Sequence, residues 1–357
     1  MLHRLTAWRH LAVAFTLSSN AVAALEPPTW PDYLLEQLAQ IDAQSPGELG
    51  VYVKDLHSQR IVAYQADEPW YLASTVKVPI AIAVLQAAMA GTIHLDSPLT
   101  LAAEDYVDGA GSSNARPVGS RVAVRTLLEQ MIIYSDNTAS DRLIRLVGLD
   151  AVNQVARNLA GDQPLFAITT LAGVRRQIYS QWHPNAQQLA GQDFLQIRHA
   201  SGSRKAAVAR QLGLAEADLQ PISLDQAYQA YYAGGANSAH LTALAEVLEG
   251  LADGRALDAA HTDYLLGLMR QVQTGNQRIR AGLPAATPYA QKTGTQRARA
   301  CDAGLIEPPA RQGQAPVLVV ACVRGDLSMA RSERSLRQVG EALTRSGLLK
   351  PMDGNNR

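Results

Sequence analysis

Ser74 and Lys77 precede a long apolar stretch and could together form a nucleophile and its base. At a spacing of three residues on a helix, both side chains lie on the same face, one turn apart. A buried lysine whose pKa is lowered can take the proton of the serine hydroxyl, which activates a nucleophile that is weak on its own. A serine in this position can also simply cap the helix. The pair therefore suggests acyl transfer but does not establish it.

Two later segments add candidate residues. Ser135-Asp136-Asn137 follows a helix-like apolar run and precedes a second helical segment, which Asp136 or Asn137 could cap. Lys292-Thr293-Gly294-Thr295 lies in a predicted β-strand, where an interior lysine is costly unless it has a function.

The order Ser-X-X-Lys, Ser-Asp-Asn and Lys-Thr-Gly is the motif set of class A β-lactamases and penicillin-binding proteins. From about residue 33 to 344 the sequence resembles the class A β-lactamase-like serine hydrolases, most densely in 72–95, 131–147 and 278–295. The resemblance implies an α/β (α+β) fold, in which helices flank a five-stranded antiparallel sheet. An all-helical subdomain is expected between the N-terminal hairpin and the last three strands, with the site between the two parts.

The resemblance also implies a role for each motif residue. Ser74 matches the acylated nucleophile, and Lys77 matches the amine that helps to deprotonate it. Ser135 matches the hydroxyl that relays a proton to the leaving nitrogen, and Lys292 matches the cation beside it. The implied substrate-binding residues, for the acylamino side chain and the carboxylate, are Asn137, Thr293, Gly294 and Thr295.

Other parts of the site follow from the same resemblance. The backbone N–H groups of Ser74 and Thr295 would form an oxyanion hole, worth about 3 kcal/mol per donor. Asp136 is expected to be structural. The loop 106–117 is either one wall of the site or a plain surface loop, and two arginines after the last motif are either a positive rim or exposed strand ends: Arg297 and Arg299.

The sequence departs from the family at the step that releases the acyl group. Class A β-lactamases use a glutamate about three dozen residues after Ser-Asp-Asn to activate the water. The expected neighbourhood, 165–180, contains no acidic residue, and between residues 152 and 215 the only ones are Asp162 and Asp193. The sequence therefore leaves open which group activates the water.

The segment 179–221 has the pattern of a helical insert with a basic helix around 198–211. It contains residues that could offer a substitute base or a metal site: His183, Asp193, His199, Glu216 and Asp218. The two histidines are 16 residues apart, without the short spacing typical of metal ligands. No cofactor is predicted, and a metal in the insert stays open.

The elements that must position these residues can be predicted from periodicity and turn residues. Helices are expected over 33–41, 78–89, 138–147 and 328–348, and strands over 49–53, 60–64, 301–306 and 317–323. If the last two strands form a hairpin centred near residue 311, Cys301 and Cys322 face each other. They would form either a disulfide or two buried thiols.

Composition limits the partners and the compartment. The 357 residues carry 32 basic and 32 acidic side chains, so no basic excess favours nucleic acid. Residues 1–23 have the pattern of a cleaved signal peptide, with a basic start, an apolar stretch and Ala21-Val22-Ala23, and 24–357 form the predicted hydrolase domain. We expect a monomer in the periplasm without stable membrane association.

The predicted function is a periplasmic serine β-lactamase that forms an acyl-enzyme on Ser74. The alternative is a D-alanyl-D-alanine peptidase or transpeptidase acting on the peptidoglycan stem peptide, which the missing glutamate favours. A receptor that is acylated by β-lactams without turnover is a third possibility, but it would normally require a membrane segment or a partner domain.

Overall fold

A computed structural model describes residues 29–311 and 313–350, so the predicted signal peptide lies outside the described residues. Five antiparallel strands form the main sheet in the order β2-β1-β9-β8-β7. Two short ladders, β3 with β6 and β4 with β5, lie in the helical part. In chain order the strands are β1 Glu48–Asp55, β2 Ile61–Tyr64, β3 Trp70–Tyr71, β4 Pro98–Thr100, β5 Arg121–Ala123, β6 Ser238–Ala239, β7 Tyr289–Gln296, β8 Arg299–Ile306 and β9 Val317–Arg324.

Most of the helices lie between the N-terminal hairpin and the last three strands. No helix among the described residues is long and apolar enough to cross a membrane. In chain order the helices are α1 Trp30–Gln44, α2 Lys77–Met89, α3 Val124–Ile133, α4 Asn137–Val147, α5 Leu149–Ala160, α6 Leu171–Ser180, α7 Gln192–His199, α8 Arg204–Gln211, α9 Leu224–Ala233, α10 Leu241–Ala252, α11 Ala259–Arg270, α12 Ile279–Gly282 and α13 Met329–Arg345. This arrangement confirms the predicted fold class.

Strand alternation gives the sheet two buried faces. Because successive side chains point to opposite sides, Val319 and Ala321 of β9 join the core under α1 and α13. Val320 and Cys322 join the larger core that contains α2 and α10. Helix α2 runs through the middle of that larger core, with every side chain from Lys77 to Leu85 buried. A lysine at the start of so apolar a helix is held away from water.

The predicted pairing of the last two strands is confirmed. Cys301 lies directly opposite Cys322 in the register of β8 and β9, with a Cα–Cα distance of 4.1 Å. The two sulfur atoms are bonded. Of the two possibilities left open by the sequence, the structure contains the disulfide.

The prediction of one continuous basic helix around 198–211 is wrong. The chain forms two short helices, α7 and α8, separated at residues 200–203. Gly202 adopts a positive φ of 88°, which glycine accepts without steric cost. Ser203 caps α8 by accepting a hydrogen bond from the N–H of Ala206. The break turns the second helix back, and Phe194 and Val208 are both buried in the small core of this segment.

Candidate active site

Ser74 lies in the 3₁₀ turn Ala73–Val76, directly before α2, and lines a cleft of about 250 Å³. The preceding residue, Ala73, has a φ of +49°, an uncommon backbone conformation for a residue with a side chain. Strand β7 passes close to this turn. A Cβ on Gly294 would lie 2.5 Å from the carbonyl oxygen of Leu72 and 3.1 Å from the amide nitrogen of Ser74. Glycine in the third motif therefore lets the edge strand approach the backbone of the predicted nucleophile.

Lys77 is fully buried beneath the cleft and contacts the second motif. Its Nζ lies 2.6 Å from the carbonyl oxygen of Ser135, 3.3 Å from the Ser135 Oγ and 2.9 Å from the Asn137 Oδ1. Among the described residues it forms no hydrogen bond with the Ser74 hydroxyl, which differs from the contact expected from the i+3 spacing. Burial lowers the pKa of Lys77 to about 7, against the opposing charges of Asp136 and Asp141. A substantial neutral fraction is therefore present near neutral pH.

Ser135 holds its hydroxyl between two amines. Its backbone has a φ of +60°, another strained position in a tight turn. The Nζ of Lys292 donates to the Ser135 Oγ at 3.1 Å, and the Nζ of Lys77 lies 3.3 Å from the same oxygen. Burial, together with the positive charges of Lys77 and Arg278, places the pKa of Lys292 well below its usual value. Because both amines lie within hydrogen-bond distance of one hydroxyl, a proton can pass between them through the Ser135 oxygen.

Asn137 and Asp136 connect this turn to the loop 106–117. Asn137 donates to the carbonyl oxygen of Asp108 at 2.8 Å while its own oxygen accepts from Lys77. The Asp136 carboxylate accepts from the N–H groups of Ala139 and Ser113, so it caps α4 and holds the loop. The loop contributes Gly109 and Ala110 to the cleft, which makes it a wall of the site.

Arg278 is a residue of the site that the motifs did not identify. Its guanidinium donates to the Thr295 Oγ1 at 2.6 Å and to the carbonyl oxygen of Gly294 at 2.9 Å. Thr293 shares a hydrogen bond of 2.5 Å with Thr274, a second neighbour that the motifs did not indicate. A buried cation and three hydroxyls therefore lie at one end of the cleft. No motif spacing indicates this contact, because Arg278 lies 17 positions before Thr295.

Helix α6 forms another wall of the cleft, and a buried carboxylate fixes its first turn. The two oxygens of Asp141 accept the N–H groups of Leu171 and Ala172 at 2.6 and 2.8 Å. Burial raises the pKa of Asp141 to about 6. This wall presents Leu171, Val174 and Arg175 to the cleft.

No carboxylate lines the cleft among the described residues. The charged residue on this wall is Arg175, whose Nε lies 2.5 Å from the Asp108 carboxylate.

The acidic residues and histidines of 179–221 do not supply a base to the cleft. Asp193 accepts from the N–H of Ala190 and from Gln211, and the His183 ring accepts from the N–H of Asn185. Within the described ranges, no group of three or more metal-ligating side chains converges. None of the five candidate residues of this segment lines the cleft, so the geometry does not support a substitute base here, a possibility that the sequence left open.

The two arginines after the last motif have separate partners. Arg297 pairs with Asp225, while Arg299 lies 4.2 Å above the ring centre of Tyr232.

Comparisons with known proteins identify the family of the chain. The family model described as "Beta-lactamase enzyme family" matches residues 34–346. The chain is 26% identical to β-lactamase AST-1 of Nocardia asteroides, over 79% of this chain and 73% of that protein. It is 29% identical to a β-lactamase of Amycolatopsis lactamdurans, over 75% and 70%.

A solved structure shares the fold. An ancestral class A β-lactamase superposes with a TM-score of 0.65 at 26% identity, covering 88% of this chain and 99% of that one. The chain therefore belongs to the β-lactamase enzyme family, as a serine hydrolase that acts on β-lactams.

Proposed function

We propose that this protein is a periplasmic β-lactamase that opens the β-lactam ring through an acyl-enzyme on Ser74. The observation that carries the proposal is the Ser135 hydroxyl, held between the amines of Lys77 and Lys292 beside the cleft that Ser74 lines. This arrangement supplies the two proton transfers that cleavage of an amide requires.

Acylation begins with the neutral form of Lys77. The amine takes the proton of Ser74 as the serine oxygen attacks the lactam carbonyl carbon. The N–H groups of Ser74 and Thr295 stabilise the oxyanion that forms, and Gly294 allows the strand to approach closely enough for this. The site requires no charged nucleophile before the substrate binds.

Breaking the ring C–N bond requires a proton on the leaving nitrogen. The Ser135 hydroxyl gives its proton to that nitrogen and takes one from Lys77, which leaves the lysine neutral again. The guanidinium of Arg278 keeps this end of the site positive and attracts the substrate carboxylate, to which Lys292, Thr293 and Thr295 can donate hydrogen bonds. Acylation therefore returns the base to the form in which it started.

Hydrolysis of the acyl-enzyme uses the same amine in our proposal. No carboxylate lines the cleft among the described residues, and Lys77, with a pKa of about 7, is the base that acylation restores. The lysine takes a proton from water, hydroxide attacks the ester carbonyl, and the departing Ser74 oxygen recovers the proton. Because this base is shared and not dedicated to water, we expect turnover to be slow.

The location and assembly belong to the same proposal. The segment 1–23 has the pattern of a cleaved export signal, which supports a mature enzyme of residues 24–357 in the periplasm, as a monomer without stable membrane association.

A second candidate is a D-alanyl-D-alanine peptidase or transpeptidase. The absence of a carboxylate from the described cleft lining favours it, because an acyl-enzyme with no positioned base persists. β-Lactams would then be inhibitors that remain attached to Ser74.

Intact-protein mass spectrometry after mixing with benzylpenicillin separates the two candidates. A β-lactamase shows an adduct that forms and then disappears while penicilloic acid accumulates in amounts exceeding the enzyme. The peptidase shows an adduct that persists.

Ser74→Ala should abolish the adduct, and Ser201→Ala, at an exposed position, should leave it unchanged. An adduct that survives in Ser74→Ala would refute the assignment of the nucleophile.

A further inference from the structure

A second cleft, of about 530 Å³, continues from the one that holds Ser74. The two share four lining residues: Gly109, Arg175, Thr295 and Gln296. Four guanidinium-bearing residues from separate parts of the chain line this extension, which we name the arginine groove: Arg175, Arg198, Arg204 and Arg297.

The groove carries a net positive charge. Arg175 is paired with Asp108, and Arg297 is paired with Asp225. Within the part of the chain that the structure describes, neither Arg198 nor Arg204 forms an ion pair. Arg204 donates to the carbonyl oxygen of Ile197, which fixes the start of α8 against the end of α7. The helical segment after residue 179 therefore adds two positive charges that no carboxylate of the described residues neutralises.

The walls of the groove suit an organic group that ends in an anion. Leu224, Tyr179 and Tyr228 line it along with the arginines, so it offers apolar surface beside positive charge. Arginine is suited to carboxylate binding because its planar fork can form two parallel hydrogen bonds. A carboxylate carried on a short side chain matches this combination.

The position of the groove shows which end of the substrate reaches it. In the proposed function the substrate carboxylate lies at Arg278, Thr293 and Thr295, and Thr295 lines both clefts. From Thr295 the groove continues along the chain through Gln296 to Arg297. Gly109, which adjoins the Asn137 amide, lies at the junction between the two clefts. Because Gly109 lies beside the amide that the resemblance assigns to the acylamino group, the groove is within reach of the acylamino side of the substrate.

We propose that the arginine groove is a subsite that selects substrates bearing a carboxylate on the acyl side chain. This inference rests on the proposed function, because it assumes that Ser74 is acylated by the substrate. The shared chemistry is an anionic acyl group, whether it belongs to a β-lactam or to a stem peptide.

The test compares two penicillins that differ by one carboxylate. Benzylpenicillin and its α-carboxy derivative, carbenicillin, are mixed with the full-length protein, and the second-order rate constant of acylation is measured by intact mass. The ratio of the two constants reports selectivity for the anion. We expect this ratio to fall roughly two- to fivefold in Arg198→Gln and in Arg204→Gln, the size typical of partly exposed charge pairs.

Arg210→Gln is the matched control. Arg210 lies on α8 and donates to the carbonyl oxygen of Ser201, but it is exposed and outside the groove. Its replacement should leave the ratio unchanged. Arg198 is exposed and forms no side-chain hydrogen bond within the described residues, so Arg198→Gln keeps the test valid if Arg204→Gln fails to fold.

A peptide pair distinguishes the two sources of the anion. L-Alanyl-D-alanyl-D-alanine is capped with acetyl or with succinyl, and release of D-alanine is measured with the same variants. If the rate ratio of the anionic to the neutral compound falls in the arginine variants, for the penicillins or for the peptides, the subsite is supported. The pair in which the ratio falls shows whether the anion belongs to a β-lactam or to a stem peptide. Ratios that equal those of the unmodified protein in both pairs overturn it. The absence of any adduct or cleavage with all four compounds would instead refute the proposed function.

Discussion

Lys292 donates a hydrogen bond of 3.1 Å to the hydroxyl of Ser135, although the two residues lie 157 positions apart in the chain. The same hydroxyl is within 3.3 Å of the Lys77 amine. Three motifs that are separate in sequence therefore meet at one oxygen atom, and each of the predictions below depends on that meeting point or on the walls around it.

The acylation rate should depend on the protonation state of Lys77. The amine acts as a base only when it is neutral, and burial lowers its pKa to about 7. Below that pH the rate should fall about tenfold per pH unit, and above it the rate should level off. Stopped-flow measurement of acylation by benzylpenicillin on either side of pH 7 checks this. A rate that is flat across the range would contradict Lys77 as the base.

Ser135→Ala should slow acylation without unfolding the protein. It removes the hydroxyl that passes a proton to the leaving nitrogen, a contribution of about 10²- to 10⁴-fold for a positioned acid or base. The rate constant of adduct formation and the thermal midpoint are measured together. Equal rates for the variant and the unmodified protein would exclude the relay.

Gly294→Ala should weaken acylation because the new Cβ would lie 2.5 Å from the carbonyl oxygen of Leu72. Strand β7 must then move away from the turn of Ser74, at a cost of about 1–3 kcal/mol typical of overpacking. Gly267→Ala is the control, since no atom lies within 4 Å of its added Cβ. Chemical denaturation and the acylation rate are compared. Similar effects at both positions would contradict the close approach.

Asp141→Asn should destabilise the wall formed by α6. An amide oxygen can accept from Leu171 or Ala172, but the NH₂ group cannot accept from the other, so one buried N–H loses its partner. The expected loss in free energy of unfolding is about 1–3 kcal/mol. Asp263→Asn, at an exposed helix position, should change it little. Equal stability of the two variants would show that Asp141 does not hold the wall.

Leu171→Glu should shorten the lifetime of the acyl-enzyme. Leu171 lines the same cleft as Ser74, and a carboxylate there would supply the base that the described lining lacks. General base catalysis contributes about 10²- to 10⁴-fold, so deacylation should accelerate within that range. Leu171→Gln controls for polarity without basicity. Adduct lifetimes that match in the two variants would contradict the explanation for slow turnover.

Local sequence was enough to predict most of the elements and to place the candidate catalytic residues on them. Ser74 and Lys77 at the start of α2, Ser135 before α4 and Lys292 within β7 were all identified from short motifs. The register that places Cys301 opposite Cys322 was also predicted, because strand register in a hairpin follows from counting, but whether the two sulfur atoms are bonded was left open. Periodicity and motif spacing suffice where the neighbours are close in the chain.

The distant groups that surround those residues could be found only in the folded chain. Arg278 at Thr295, Asp141 at the start of α6 and the arginine groove all depend on how separate elements pack. Only the folded chain also shows that the carboxylate of Asp193 accepts hydrogen bonds from its own segment, 179–221, and does not line the cleft. Burial, which lowers the pKa of Lys77 to about 7, likewise depends on contacts between elements that are far apart in the chain.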